Sequence, residues 1–151
     1  MKKIIIVAAL VLGLATAASA QPKALGIRLG YGAELSYQHN IKDYDFIEAD
    51  LGLGDFAYLN FAGTYNFMIA KPAWTDEGQW GFYAGPGVAL GAGPSIFNIG
   101  IAGQVGLEYT FEFPLQLSVD IRPQIGLVSA SEVSKFGIWG WYPHIGVRYA
   151  F

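Results

Sequence analysis

The stretch Ile27-Arg28-Leu29-Gly30-Tyr31-Gly32-Ala33-Glu34-Leu35-Ser36-Tyr37 puts an apolar or aromatic residue at every odd position and a charged, polar or glycine residue at every even one. A period of two belongs to a β-strand, whose successive side chains point to opposite faces. The pattern continues outward from this segment. Ile47, Ala49, Leu51 and Leu53 alternate with Glu48, Asp50, Gly52 and Gly54, and Leu59, Phe61, Tyr65, Phe67 and Ile69 lie opposite Asn60, Ala62, Thr64 and Asn66. Phe82, Ala84, Pro86, Val88 and Leu90 alternate with Tyr83, Gly85, Gly87 and Ala89. Ile99, Ile101, Val105 and Leu107 face away from Asn98, Gly100, Gln104 and Glu108. Leu115 to Leu127 and Ile145 to Phe151 repeat the theme, and no helical period is sustained after Leu25.

Turn-forming clusters separate these runs: Lys42 to Asp45, Gly54-Asp55, Lys71-Pro72 to Gly78, Gly91 to Pro94, Glu112 to Pro114, and Ser129 to Gly137. The runs number seven, and Leu25 to Asn40 is long enough for two strands if Tyr31-Gly32-Ala33 makes a tight hairpin. Its unbroken alternation equally suits one strand. Eight strands are expected, since single-chain bacterial membrane barrels use even numbers.

Composition narrows the function classes. The 151 residues are 53% hydrophobic and 14% charged, with 20 glycines, no cysteine and a formal net charge of -3. Few charges and many apolar residues exclude intrinsic disorder. The lack of a basic cluster argues against nucleic acid as a partner. Without cysteine there is neither a disulfide nor a thiolate metal site. Residues 1–20 combine Lys2-Lys3, an apolar run from Ile4 to Leu14 and small residues ending in Ala18-Ser19-Ala20, the arrangement of a cleavable signal peptide cut after Ala20. The expected organisation is a signal peptide over 1–20 and one β-domain over 21–151.

The polar face shows which side is inside. Lys23, Lys42, Lys71 and Lys135 fall in expected turns or at the terminus, whereas the polar face of the runs carries Gly, Ala, Asn, Gln and Ser with Arg28, Arg122 and Arg148 and the acids Glu34, Glu48, Asp50, Glu108 and Asp120. Small residues mixed with opposite charges suit a narrow interior, where guanidinium must pair with carboxylate. The other face is Leu, Ile, Val, Phe and Tyr and suits lipid. Trp74, Trp80, Trp139, Trp141, Tyr44, Phe111, Phe113 and Tyr142 sit in or beside expected connections, where an interfacial aromatic girdle belongs. The expected fold is an all-β, eight-stranded, antiparallel up-and-down transmembrane barrel.

The chain ends Ile145-Gly-Val147-Arg-Tyr149-Ala-Phe151, a terminal aromatic preceded by apolar residues at every second position. This resembles the C-terminal assembly signal of Gram-negative outer-membrane barrels. Together with the leader and the alternation, the mature chain resembles small OmpA/OmpX-like barrel proteins. The resemblance implies an outer-membrane location, outer-membrane lipid as surroundings, and recognition by the barrel-insertion machinery through Ile145, Val147, Tyr149 and Phe151. It implies a structural or surface-interaction role. It supplies no catalytic motif and no cofactor.

Other readings are weighed against this one. Gly30-Tyr-Gly32, Gly52-Leu-Gly54, Gly85-Pro-Gly87 and Gly91-Ala-Gly93 precede no helix, so they form no phosphate loop. Two isolated histidines make no metal site. A lipid-A-modifying acyl hydrolase or transferase would need His144 beside a nucleophile such as Ser129, Ser131 or Ser134, with Glu132. A soluble periplasmic barrel would turn its apolar face inward around a small apolar ligand. Bulk diffusion is not expected, because eight strands enclose only enough room for side chains, although five acids outnumber three arginines and leave a narrow cation path open. With both termini periplasmic, the long Lys71 to Gln79 connection falls on the side where turns are usually short.

Overall fold

The structure, a computed structural model, describes residues 23–151; the leader, with Ala18 and Ala20, lies outside the described residues. Ten strands follow one another: β1 (Lys23–Leu29), β2 (Gly32–Lys42), β3 (Asp45–Gly54), β4 (Tyr58–Ala70), β5 (Gln79–Ala92), β6 (Ile96–Thr110), β7 (Gln116–Ile121), β8 (Gln124–Ala130), β9 (Val133–Trp139) and β10 (Pro143–Ala150). β7 and β8 lie end to end along one side of β6, interrupted at Arg122-Pro123, and β9 and β10 continue each other in the same way. Counted by wall position this is a closed, eight-stranded, antiparallel up-and-down barrel. The closing seam is the antiparallel pairing of β1 with β10, from Ala24 opposite Ala150 to Leu29 opposite Ile145.

The segment that could be one strand or two is a hairpin, with its bend at Gly30-Tyr31, just before the expected place. Leu29 pairs with Ala33, an even number of residues on, so odd positions face outward on both strands. The alternation therefore runs through the turn unbroken. The polar stretch Ser129 to Gly137, expected as a connection, is mostly strand. Only Ser131 and Glu132 turn, both at positive φ (47° and 71°). That is a two-residue type I′ hairpin, which matches the twist of its flanking strands.

The barrel is strongly staggered. Ladder partners followed from Leu29 through Ala33, Leu53, Leu59, Ala92, Phe97 and Ser129 lead to Ser134, eleven residues before Ile145, the direct partner of Leu29. Closure with such a shift tilts the strands against the axis and makes the wall uneven. β1, with 7 residues, is its low side. The β8–β9 hairpin is its high side, and among the described residues β9 pairs with β8 alone. The connections 71–78 and 111–115 lie at the end where the described residues begin and end, called here the terminal end; the turns among the described residues at the opposite, distal end are tight.

The barrel is inside-out relative to a water-soluble domain. Its buried set is dominated by Arg28, Glu34, Ser36, Glu48, Asp50, Asn66, Gln104, Asp120, Arg122 and Arg148, while Ile27, Leu53, Phe61, Phe67, Val88, Ile101, Val119, Leu127, Ile145 and Tyr149 are exposed. Apolar burial contributes little beyond Ala62, Ala89 and Ala102 and the edge-to-face pair Phe46–Tyr83. Backbone ladders and interior polar bonding hold the described domain together.

Candidate functional site

Glycine and charge divide the interior between them. Gly146 stands opposite Arg28 and Ser118, Gly26 opposite Arg148 and Ser36, and Gly52 opposite Glu34 and Asn60. A Cβ on Gly146 would lie 2.3 Å from Ser118 Oγ and 2.6 Å from Arg148 Nη1, and one on Gly106 would lie 2.4 Å from the Tyr83 ring. Small residues facing large ones let eight strands enclose long side chains.

Across this space the arginines form a connected network. Arg28 donates from Nη1 to Glu34 (2.6 Å) and from Nε and Nη2 to the two oxygens of Asp120. Arg122 donates from Nη2 to Glu34 (2.7 Å) and from Nη1 to Asp50. Arg148 reaches Glu48 (3.2 Å), Ser36 Oγ (2.9 Å) and Ser118 Oγ (2.7 Å). Glu48 also accepts from Gln38 (2.6 Å) and Gln104 (2.9 Å), and Thr64 and Asn66 extend the bonding through Gln104. The Arg28 guanidinium lies within 4 Å of four carboxylates at once, being also 3.8 Å from Glu48 and 3.9 Å from Asp50. Such a cross-brace ties β1, β2, β3, β7 and β10 together across the barrel interior.

Seven of the eight charged residues singled out in the sequence meet in this network. Glu108 does not. It lies toward the terminal end, bonded by Gln116 Nε2 at 3.3 Å and by none of the arginines. It lines a cavity of about 200 Å³ with Lys71, Tyr44, Trp80 and Gln79. The long 71–78 connection folds back there, with the Lys71 ammonium 3.1 Å from the Tyr44 ring centroid. An aromatic series runs from Trp74 through Trp80, Tyr109 and Phe111 to Phe113 along the same rim, ring centroids 4.6–5.3 Å apart.

Above the network, at the distal end, is a second cavity of about 270 Å³. Arg122 and Glu34 form part of its floor, and Asn98, Gln124 and His144 lie higher on its walls. The sequence by itself does not mark this chamber, because its residues come from seven strands and three connecting segments. It also places Trp139 in a girdle. Trp139 instead pairs with Gln124 and turns inward, its ring 3.2 Å from where a Cβ on Gly100 would stand. The bare glycine is what admits the indole.

The geometry does not assemble the hydrolase constellation considered above. His144 stands opposite Asp120 in the ladder and packs its ring on Gly30. Ser134 donates to Ser129 Oγ (3.0 Å) in the exposed β8–β9 hairpin, and no hydrogen bond links His144 to a serine. Among the described residues, no group of three or more His, Cys, Asp or Glu is placed to hold a metal ion. Ile145, Val147 and Tyr149 point outward from β10, and Phe151 follows it, exposed. Compared with family models, curated proteins and solved structures, the chain matches none.

Proposed function

We propose that this protein is a small integral outer-membrane β-barrel with a packed polar interior, which serves a structural or surface-interaction role and carries no bulk flux. One observation bears most of the weight: the outward face is apolar around the barrel while charged groups are sealed within. In water that arrangement exposes apolar area on every strand, at roughly 25 cal/mol per Å². In a bilayer the same surface is solvated by acyl chains, and among the described residues closure pairs every strand except β9 on both edges. The aromatic series at the terminal end and the Tyr31–Tyr142 stack at the distal end (4.8 Å, 14°) suit the two interfaces. The leader and the C-terminal pattern, through which the insertion machinery would bind, agree with this location.

The cross-brace supports the absence of bulk flux, since the long side chains of Arg28, Arg122 and Arg148 are buried and bonded across the barrel interior. The test is cold-detergent gel mobility of protein from purified outer membranes, before and after boiling. A heat-dependent shift supports the reading; recovery in the soluble periplasmic fraction without a shift overturns it. Purified protein in planar bilayers is expected to give no stable conductance steps.

A further inference from the structure

We infer that the distal chamber is a binding site for a small, uncharged molecule that has one hydrogen-bonding group and an apolar ring. Three features of the chamber carry this. First, its walls are built to receive flat groups: Tyr31, Tyr58, Trp139 and Tyr142 surround it, and glycines make room for them. The Tyr58 ring lies over Gly54, where a Cβ would sit 2.4 Å away, as the Trp139 indole lies over Gly100. Aromatic faces held in this way bind a ring by offset stacking or edge contact.

Second, hydrogen-bonding capacity remains unused inside it. Asn98 and Gln124 are buried and make no hydrogen bond to another side chain, in contrast to Asn60, which donates to Glu34 (2.6 Å). Arg122 and His144, 1% and 8% exposed, line the chamber and keep Nε and Nδ1 without partners. Arg122 Nε and His144 Nδ1 are sealed within the lining, whereas the unbonded amides of Asn98 and Gln124 are open to the chamber, and they are the groups offered to a ligand.

Third, the lining offers no net charge. Glu34 and Arg122 are its charged members, and they are bonded to each other at 2.7 Å. A charged ligand would have to break that pair. A neutral one need only use the free amides. The size, just below the range of drug-sized pockets, fits one ring with a short substituent. The wall is also interrupted there: segment 140–142 joins β9 to β10 beside the Gly30-Tyr31 bend, where β9 has no second neighbour among the described residues.

The test is protein-observed NMR of the labelled, folded full chain in lipid nanodiscs, titrated with three probes of one size: benzyl alcohol, benzoate and toluene. Benzyl alcohol is expected to shift the Trp139 indole N–H and the Asn98 and Gln124 side-chain amides saturably. Val128→Phe, which fills the chamber, should abolish those shifts while retaining the heat-dependent gel mobility of a folded barrel. Asn98→Leu should weaken them by about 2–10-fold, the worth of one hydrogen bond. Non-saturating shifts confined to outward-facing residues would mean partition into lipid only and would overturn the site. Benzoate binding more tightly than benzyl alcohol, or toluene binding equally well, would overturn the specified chemistry.

Discussion

At mid-barrel, three arginines and four carboxylates bond across the interior; one layer toward the distal end, β4, β6, β8 and β10 carry Asn60, Asn98, Gln124 and His144 around about 270 Å³ of open space. Both layers are floored by glycine and lined by polar side chains. What separates them is reach and charge. A guanidinium reaches far across the barrel and must find carboxylates where water is scarce, so each arginine draws partners from other strands across the interior. A neutral amide or imidazole reaches less far and has no such demand. The charged layer is thus taken up with holding the barrel together, and the neutral layer is left with bonding capacity to offer.

The comparison is broken most directly at Arg28. Arg28→Leu strands Asp120 without a guanidinium, leaves Glu34 with Arg122 alone, and is expected to destabilise by about 3–5 kcal/mol, read as a lower urea midpoint in reconstituted protein. Arg122→Leu should behave similarly through Asp50 and Glu34. An unchanged midpoint in either would invert the assignment of inside and outside. Next comes the glycine floor. Gly52→Ala brings a Cβ to 2.0 Å from the Ala33 carbonyl oxygen and should cost about 1–3 kcal/mol, whereas Gly103→Ala, which meets nothing within 4 Å, should leave the midpoint unchanged in the same assay.

Smaller effects sharpen the contrast. Gln124→Leu in the chamber removes a side chain with no side-chain partner, so it should shift stability by under about 1 kcal/mol. An effect as large as that of Arg28→Leu would show that the chamber braces the barrel no less than the charged layer does. Lys135→Ala, in the exposed β8–β9 hairpin, should remain within about 0.5 kcal/mol of the parent in the same unfolding series.

Much of this is legible in the chain. The strand period, the polar face and the pairing of Arg28 with Glu34 follow from local spacing, since those two residues face each other across one hairpin. The contacts of Arg28 with Asp120 and of Arg122 with Glu34 span 92 and 88 residues. They depend on barrel closure, which alternation does not encode. Ser129 to Gly137 reads as a loop because its serines and charges suit one, while a type I′ turn needs only Ser131 and Glu132 and lets the rest pair. Glu108 has the same alternation as the other acids. Its height in the barrel, which no local pattern records, takes it out of the network.

The sequence by itself determined that the chain is all-β, which face of each strand is apolar, and that arginines and acids share the other face; all three follow from a side-chain period of two and from composition. Only the tertiary structure decided how far the strands slide past one another, and from that, which acid meets which arginine, why β9 stands without a second neighbour among the described residues, and where the interior is cross-braced or open. Stagger is a property of the closed sheet as a whole, fixed by the sum of every register around the ring, and no single strand carries it.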